Sequence, residues 1–115
     1  MIDFACQQFD LTTIIKCSLN LTKADFKVMV FMTQNNSDWF TSEQLSKKLK
    51  LNLSTIQRAV KKLHEKSLAE RNQNNLDNGG YIYIYKSKPK EEISAIIMKI
   101  VHNWASTVES ELKRW

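Results

Sequence analysis

Residues 39–85 read WFTSEQLSKKLKLNLSTIQRAVKKLHEKSLAERNQNNLDNGGYIYIY, and this stretch decides the fold. Thr41 and Gln44 have the spacing of a capping box, in which two side chains satisfy the free amides at the start of a helix. Leu45 and Leu49 follow one helical turn apart. We therefore predict a helix that begins near Thr41 and is interrupted by residues 51–53.

A second helix is predicted over residues 54–66, because Ser54 and Gln57 repeat the capping-box spacing. Its apolar residues have the i, i+3, i+4, i+7 spacing of one buried face; they are Ile56, Ala59, Val60 and Leu63. Two capped helices joined by a short turn indicate a helix-turn-helix.

The hydrophobic pattern changes from helical to alternating after Ser67. Residues 68–71 and 81–85 alternate as strands do, and a polar run with both glycines of the chain lies between them. This order predicts a β-hairpin with a loose tip, which we call the wing. Trp39-Phe40 is too short to stand alone, and we expect it to add a small strand to the same sheet.

Positive charge is concentrated in this module. Eight basic and three acidic residues between Thr41 and Gln73 give a net charge of +5, which equals the net charge of the whole 115-residue chain. On the second helix, Ser54, Arg58 and Lys61 lie opposite the apolar face. A basic stripe in this place indicates binding to double-stranded DNA. The alternative is a solvated basic face without a ligand.

These segments together resemble the winged helix of archaeal TrmB-like and MarR-like transcriptional regulators. The resemblance covers residues 19–90 and rests on LNLTKADFKVMVFM, SEQLSKKLKLNLSTIQRAVKKLHEKSLAER and GGYIYIY. It implies a sequence-specific regulator whose second, recognition helix enters the major groove of DNA. Lys50 and Ser67 stand where the family usually has Gly. MarR-type wings often carry an Asp-x-Arg element for the minor groove, but Leu76-Asp77-Asn78 has no arginine here.

Candidate DNA contacts follow from the chemistry of the side chains. A Gln side chain can form two hydrogen bonds with adenine, and an Arg side chain two with guanine. Gln57 and Arg58 both lie on the recognition helix, so we expect this helix to supply the base contacts. The predicted base contacts are Thr55, Gln57, Arg58 and Lys61. Lysine charges and a helix N-terminal amide suit phosphates. The predicted phosphate contacts are Ser54, Lys47, Lys48 and Lys62. At the wing, backbone contacts by Asn74, Asn75 and Asn78 and a plain solvated turn are both open.

The rest of the chain completes one domain, mainly α with a small β-hairpin (α+β). We predict a first helix over residues 4–19, a core helix over residues 23–34 and a long helix over residues 90–115. The three parts are an N-terminal helix (1–20), a winged helix (21–88) and a C-terminal dimerisation helix (89–115).

The last helix carries an apolar stripe that is too long for the small core to cover. A homodimer would bury it and would place two recognition helices about 34 Å apart, as half-sites one helical turn apart require. The predicted interface residues are Ile93, Ile97, Ile100, Trp104, Val108 and Leu112. The alternative is that the stripe packs on the first helix of its own chain.

No catalytic or metal-binding motif occurs, and His64 and His102 are far apart in the sequence. We therefore expect neither an enzyme nor a cofactor or metal. Without a run of about 18 apolar residues or a basic N-terminus, we also expect a cytoplasmic protein. Cys6 and Cys17 lie eleven residues apart on the predicted first helix, too far to bridge. An intermolecular disulfide stays open, although two reduced thiols acting as small apolar residues are favoured.

Two further alternatives concern partners. A winged helix also serves as a protein-interaction or RNA-binding module, but the basic face formed by Arg58, Lys61 and Lys62 favours DNA. The family resemblance is compatible with a small-molecule effector in the cleft between the winged domain and the dimerisation helices, and no polar cluster identifies one.

Overall fold

A computed structural model describes all 115 residues. The predicted fold class is confirmed: five helices and two small antiparallel sheets form a winged-helix α+β arrangement. In chain order the elements are β1 (Ile2–Phe4), β2 (Gln7–Phe9), α1 (Leu11–Leu19), α2 (Lys23–Gln34), β3 (Phe40–Thr41), α3 (Ser42–Leu49), α4 (Leu53–Glu65), β4 (Ala69–Asn75), β5 (Tyr81–Ser87) and α5 (Lys90–Arg114).

Helix α2 is the core helix, with the bounds predicted from the sequence. Thr22 and Asp25 form a reciprocal capping box at its start. Val28, Met29 and Met32 are buried, and α4 packs across α2. The helix thus provides the platform on which the helix-turn-helix sits.

The helix-turn-helix consists of α3 and α4. The predicted capping box of Thr41 and Gln44 is present at the start of α3. The capping box predicted for Ser54 is wrong, because α4 begins at Leu53 with Asn52 as its cap. The Asn52 side-chain oxygen accepts a hydrogen bond from the Ser54 amide at 3.2 Å, so the helix starts one residue before the predicted position. It also ends one residue earlier, at Glu65.

The wing is longer and more regular than predicted. Strand β4 runs to Asn75 and pairs with β5 in the register Asn75↔Tyr81. The polar residues 72–75 were expected in the loop but lie in the strand. Strand pairing uses backbone hydrogen bonds, so an exposed ribbon tolerates polar side chains. The tip is confined to residues 76–80, where Gly79 has φ 89°. The expected small strand is β3, which pairs Phe40 with Tyr85, so the sheet order is β3-β5-β4.

The predicted first helix is wrong for its N-terminal part. Residues 2–9 form an antiparallel hairpin with the register Ile2↔Phe9, and Ala5 at its turn has a left-handed φ of 53°. The helix starts only at Leu11, because the Asp10 side chain caps it by accepting from the Thr12 amide. Cys6 therefore lies in the hairpin turn, outside the helix that carries Cys17. Both thiols are free and exposed.

The long C-terminal helix is confirmed as α5. Its first half packs against the domain through Ile93, while its second half extends beyond it, so the molecule measures 63 × 25 × 24 Å. No helix is both long and apolar enough to cross a lipid bilayer.

Candidate nucleic-acid interface

Helix α4 divides cleanly into a buried and an exposed side. Ile56, Ala59, Val60 and Leu63 lie in the hydrophobic core as predicted. The side chains of Gln57, Arg58 and Lys61 are exposed, and neither Arg58 nor Lys61 forms an ion pair. Thr55 is half-buried at the edge of this surface. The recognition helix therefore presents two free positive charges and one amide to solvent.

Of the predicted phosphate-binding residues, Lys47 and Lys48 are exposed in the last turn of α3 and form no ion pair. Ser54 differs from the prediction, because its amide and its hydroxyl both donate to the Asn52 side chain, at 3.2 and 3.0 Å. An amide that already donates to the cap residue of its own helix is not free for a phosphate.

Lys62 also differs from the prediction. Its ammonium lies 2.6 Å from the Asp25 carboxylate and 3.4 Å from the Asn20 carbonyl oxygen. Burial raises the pKa of Asp25, but hydrogen bonds from Lys62 and from Thr22 outweigh this effect and hold the pKa below its ordinary value. Lys62 therefore fastens α4 to α2 and does not face the nucleic-acid side as a free charge.

The three asparagines predicted as wing contacts, Asn74, Asn75 and Asn78, are exposed. The Asn78 side chain accepts from the Gly80 amide at 3.4 Å and so helps to order the tip. Asn75 accepts from the Gln73 side chain at 3.4 Å, and Asn74 has no side-chain hydrogen bond. A solvated turn and a backbone-contacting tip are both compatible with this arrangement.

One part of the site was missed by the sequence analysis. A cleft of about 490 Å³ lies between the recognition helix and the wing. Gln57 and Lys61 line one wall, and Arg71 and Tyr83 line the other. The Arg71 guanidinium carbon lies 4.3 Å from the centre of the Tyr83 ring, a cation–π contact. Strand β4 continues beyond Arg71 and brings these residues together, whereas a loop from residue 72, as predicted from the polar run, does not.

The predicted dimer surface is divided between two environments. Ile93 is 5% exposed and belongs to the core of its own chain, so the single chain does not present it at its surface. Ile97 and Ile100 are half-buried against the same core. Trp104, Val108 and Leu112 are exposed. The apolar stripe continues along the whole of α5, but the small domain covers only the first turns of that helix.

A helix-turn-helix joined to a paired two-stranded wing defines the winged helix-turn-helix class of proteins, and this chain is a member of it. Within that class it belongs to the family of the DnaD N-terminal domain, whose family model matches residues 9–108. Its structure superimposes on that of a possible transcriptional regulator from Methanosarcina mazei Go1, with 54% identity and a TM-score of 0.95. That match covers 100% of this chain and 96% of the other.

More distant proteins are also similar to this chain, one by sequence and two by structure. An uncharacterised protein of Methanocaldococcus jannaschii is 28% identical over 110 residues, which is 96% of this chain and 79% of that protein. A MarR mutant from E. coli is 23% identical with a TM-score of 0.52, covering 90% and 84% of the two chains. A MepR mutant of S. aureus, solved with an oligodeoxyribonucleotide, is 14% identical with a TM-score of 0.57, covering 87% and 72%. The predicted resemblance to MarR-like regulators is thus confirmed as a resemblance of fold.

Proposed function

We propose that the protein is a transcriptional regulator, and not an enzyme, which binds double-stranded DNA in a sequence-specific way. The observation that supports this most directly is the exposed side of α4, where Arg58 and Lys61 are free of ion pairs within a module that holds all of the net charge. Free cations on an exposed helix attract the phosphate backbone and fit the major groove. The similar structure from Methanosarcina mazei, described as a possible transcriptional regulator, supports the same function.

In this proposal the recognition helix lies in the major groove. Gln57 and Arg58 contact base edges, with Thr55 and Lys61 beside them, because amide and guanidinium groups each match one base with two hydrogen bonds. Lys47 and Lys48 contact phosphates from the last turn of α3. This proposal leaves Ser54 and Lys62 out of the set of phosphate contacts, because their amide and ammonium already have partners within the protein.

The protein acts as a homodimer in this proposal. The second half of α5 carries Trp104, Val108 and Leu112 on one stripe, all exposed in the single chain. Apolar side chains on a helix that projects from its domain favour packing against a second copy. The dimer presents two recognition helices to neighbouring major grooves. Such a regulator works in the cytoplasm, where the chromosome of an archaeal or bacterial cell lies.

Selection of bound sequences from a random duplex pool tests this proposal. The expected result is one enriched, pseudo-palindromic motif with half-sites about 10 base pairs apart. Gel shifts with the selected duplex, a scrambled duplex and a matched RNA duplex, at two salt concentrations, then compare affinities. Equal binding to selected and scrambled DNA would contradict sequence-specific reading. Tighter binding to RNA, or to no nucleic acid at all, would favour the RNA-binding or protein-interaction alternative.

A further inference from the structure

One face of the wing carries exposed tyrosines that the duplex-binding proposal does not use. The register pairs Asn75 with Tyr81 and Gln73 with Tyr83, so these four side chains lie on the same face of the ribbon. Tyr81 is 54% exposed and Tyr83 is 36% exposed. Their ring centres lie 5.4 Å apart, and the rings meet edge to face. Neither ring belongs to the hydrophobic core.

Two basic residues, Arg71 and Lys61, lie near this aromatic pair. Arg71 lies on the same face and stacks on Tyr83 without forming an ion pair. Lys61 lies across the cleft, and Glu43 is the only acidic residue that lines it. The pKa of Tyr81 is raised by its Tyr83 neighbour, through side-chain hydrogen bonding first and through charge second. A tyrosine hydroxyl is neutral at physiological pH even at its ordinary pKa of about 10, so Tyr81 does not repel an anion.

Stacking aromatic rings together with free cations match the chemistry of an unpaired nucleotide. A tyrosine ring binds the flat face of a base, and the cations bind its phosphate. In an intact duplex those faces are covered by neighbouring base pairs, so the tyrosines would find no stacking partner there. Tyrosine and arginine are also common at protein interfaces, but lysine is depleted there, so Lys61 in the same cleft favours a nucleic acid over a protein partner.

We propose that this wing face, formed by Arg71, Tyr81 and Tyr83 with Lys61 opposite, binds single-stranded DNA. Bases stack on the tyrosine faces that Arg71 and the neighbouring ring leave open, and the backbone follows Arg71 and Lys61 along the cleft. The activity goes beyond the proposed reading of duplex DNA, because the stacking residues lie on the wing and not on the exposed side of α4. It also gives a function to the wing other than insertion of an arginine into the minor groove.

The test measures fluorescence anisotropy of the full chain with a labelled homopyrimidine strand of about 12 nucleotides. We expect saturable binding that Tyr81→Leu combined with Tyr83→Leu weakens at least tenfold, since stacking contributes about 1 to 3 kcal/mol per base. The Tyr83→Phe variant keeps the ring and should bind like the wild type. Asn72 lies on the opposite face of the ribbon, paired with Ile84, so Asn72→Ala is the matched surface control.

Parallel titrations with the selected duplex separate this proposal from the proposed function. Arg58→Ala should weaken duplex binding and leave strand binding unchanged, whereas the double tyrosine variant should do the reverse. Arg71→Gln should lower the salt dependence of strand binding by about 0.7 in the logarithmic slope, one phosphate contact. The proposal is overturned if the wild type does not bind the strand, or if the double variant, with an unchanged melting curve, binds it as the wild type does.

Discussion

The ammonium of Lys62 lies 2.6 Å from the carboxylate of Asp25, and this ion pair joins the recognition helix to helix α2. The same Asp25 carboxylate accepts a hydrogen bond from the Thr22 amide at 3.0 Å as part of the α2 capping box. Asp25 is only 5% exposed. One buried carboxylate thus holds the start of α2 and the orientation of α4 together.

Removal of this carboxylate should destabilise the protein. We expect Asp25→Asn to lower the free energy of unfolding by about 1 to 3 kcal/mol, because Lys62 loses its charged partner and the capping box is weakened. Urea denaturation followed by circular dichroism measures the change. Glu65→Gln on the exposed side of α4 is the control and should change it by about 0.5 kcal/mol or less.

A double-mutant cycle then isolates the ion pair from the cap. Lys62→Met keeps the aliphatic stem and removes the charge. If the pair is coupled, Asp25→Asn combined with Lys62→Met should cost less than the sum of the two single changes. Strict additivity would show that Asp25 acts through the capping box alone.

The same pair predicts a pH dependence of stability. The pKa of Asp25 is lower in the folded protein than its ordinary value of 3.8, so its carboxylate favours folding at pH values above that number. The contribution is lost as the pH falls from 3.8 toward the pKa of the folded state. The free energy of unfolding should therefore decline more steeply below about pH 5 in the wild type than in Asp25→Asn. Parallel curves for the two proteins would contradict this linkage.

Features that depend on neighbouring residues could be predicted from the sequence. The capping boxes at Thr22 and Thr41 involve side chains three residues from the amides they bind, so the starts of α2 and α3 are encoded locally. Where two local signals compete, the sequence is ambiguous: Asn52 and Ser54 are both good caps, and the first of them begins α4. Asp10 similarly overrides the helical pattern that precedes it.

Features that depend on residues distant in the sequence could not be predicted. The ion pair of Asp25 and Lys62 joins positions 37 residues apart. No local sequence pattern therefore shows that Lys62 binds Asp25 and is not a free charge on the exposed side of α4. The cleft beside Arg71 requires the register of the wing, which places Tyr83 next to it. The apolar stripe runs along the whole of α5, so the sequence does not show which of its residues are buried. Ile93 is buried because the first turns of α5 cross the domain.

One arginine and one lysine substitution should separate base reading from phosphate binding. Arg58→Ala should weaken binding to the selected duplex by about 1 to 3 kcal/mol and relax specificity at one base pair. Lys48→Ala should weaken selected and scrambled duplexes alike and reduce the salt slope by about one unit. Titrations by anisotropy on both duplexes measure this. An equal loss on both duplexes for Arg58→Ala would rule out its role in base reading.

A glycine should fit the C-terminal turn of the recognition helix better than the present residue. Ser67 has φ 64°, a left-handed conformation that costs a residue with a side chain about 1 kcal/mol. We therefore expect Ser67→Gly to raise the free energy of unfolding by about 0.5 kcal/mol, part of the gain being offset by the greater freedom of glycine when unfolded. Lys66 has φ −90°, so Lys66→Gly is the control and should destabilise. A loss of stability for Ser67→Gly in the same urea titration would show that the serine hydroxyl contributes more than the strain costs.

The exposed end of α5 should control the oligomeric state. Trp104 is 62% exposed in the single chain and lies outside the domain core. Trp104→Glu should therefore leave folding intact while placing like charges opposite each other at a two-fold interface. Sedimentation equilibrium should give a dimer for the wild type and a monomer for this variant. Ser106→Glu adds the same charge on the other side of the helix, about 200° away, and should remain dimeric.

A monomeric wild type would contradict the dimer, and monomerisation by both variants would show a general effect of charge. If Trp104→Glu is monomeric and folded, its weaker binding to a two-half-site duplex, with unchanged binding to a single half-site, would show that the recognition helices act as a pair.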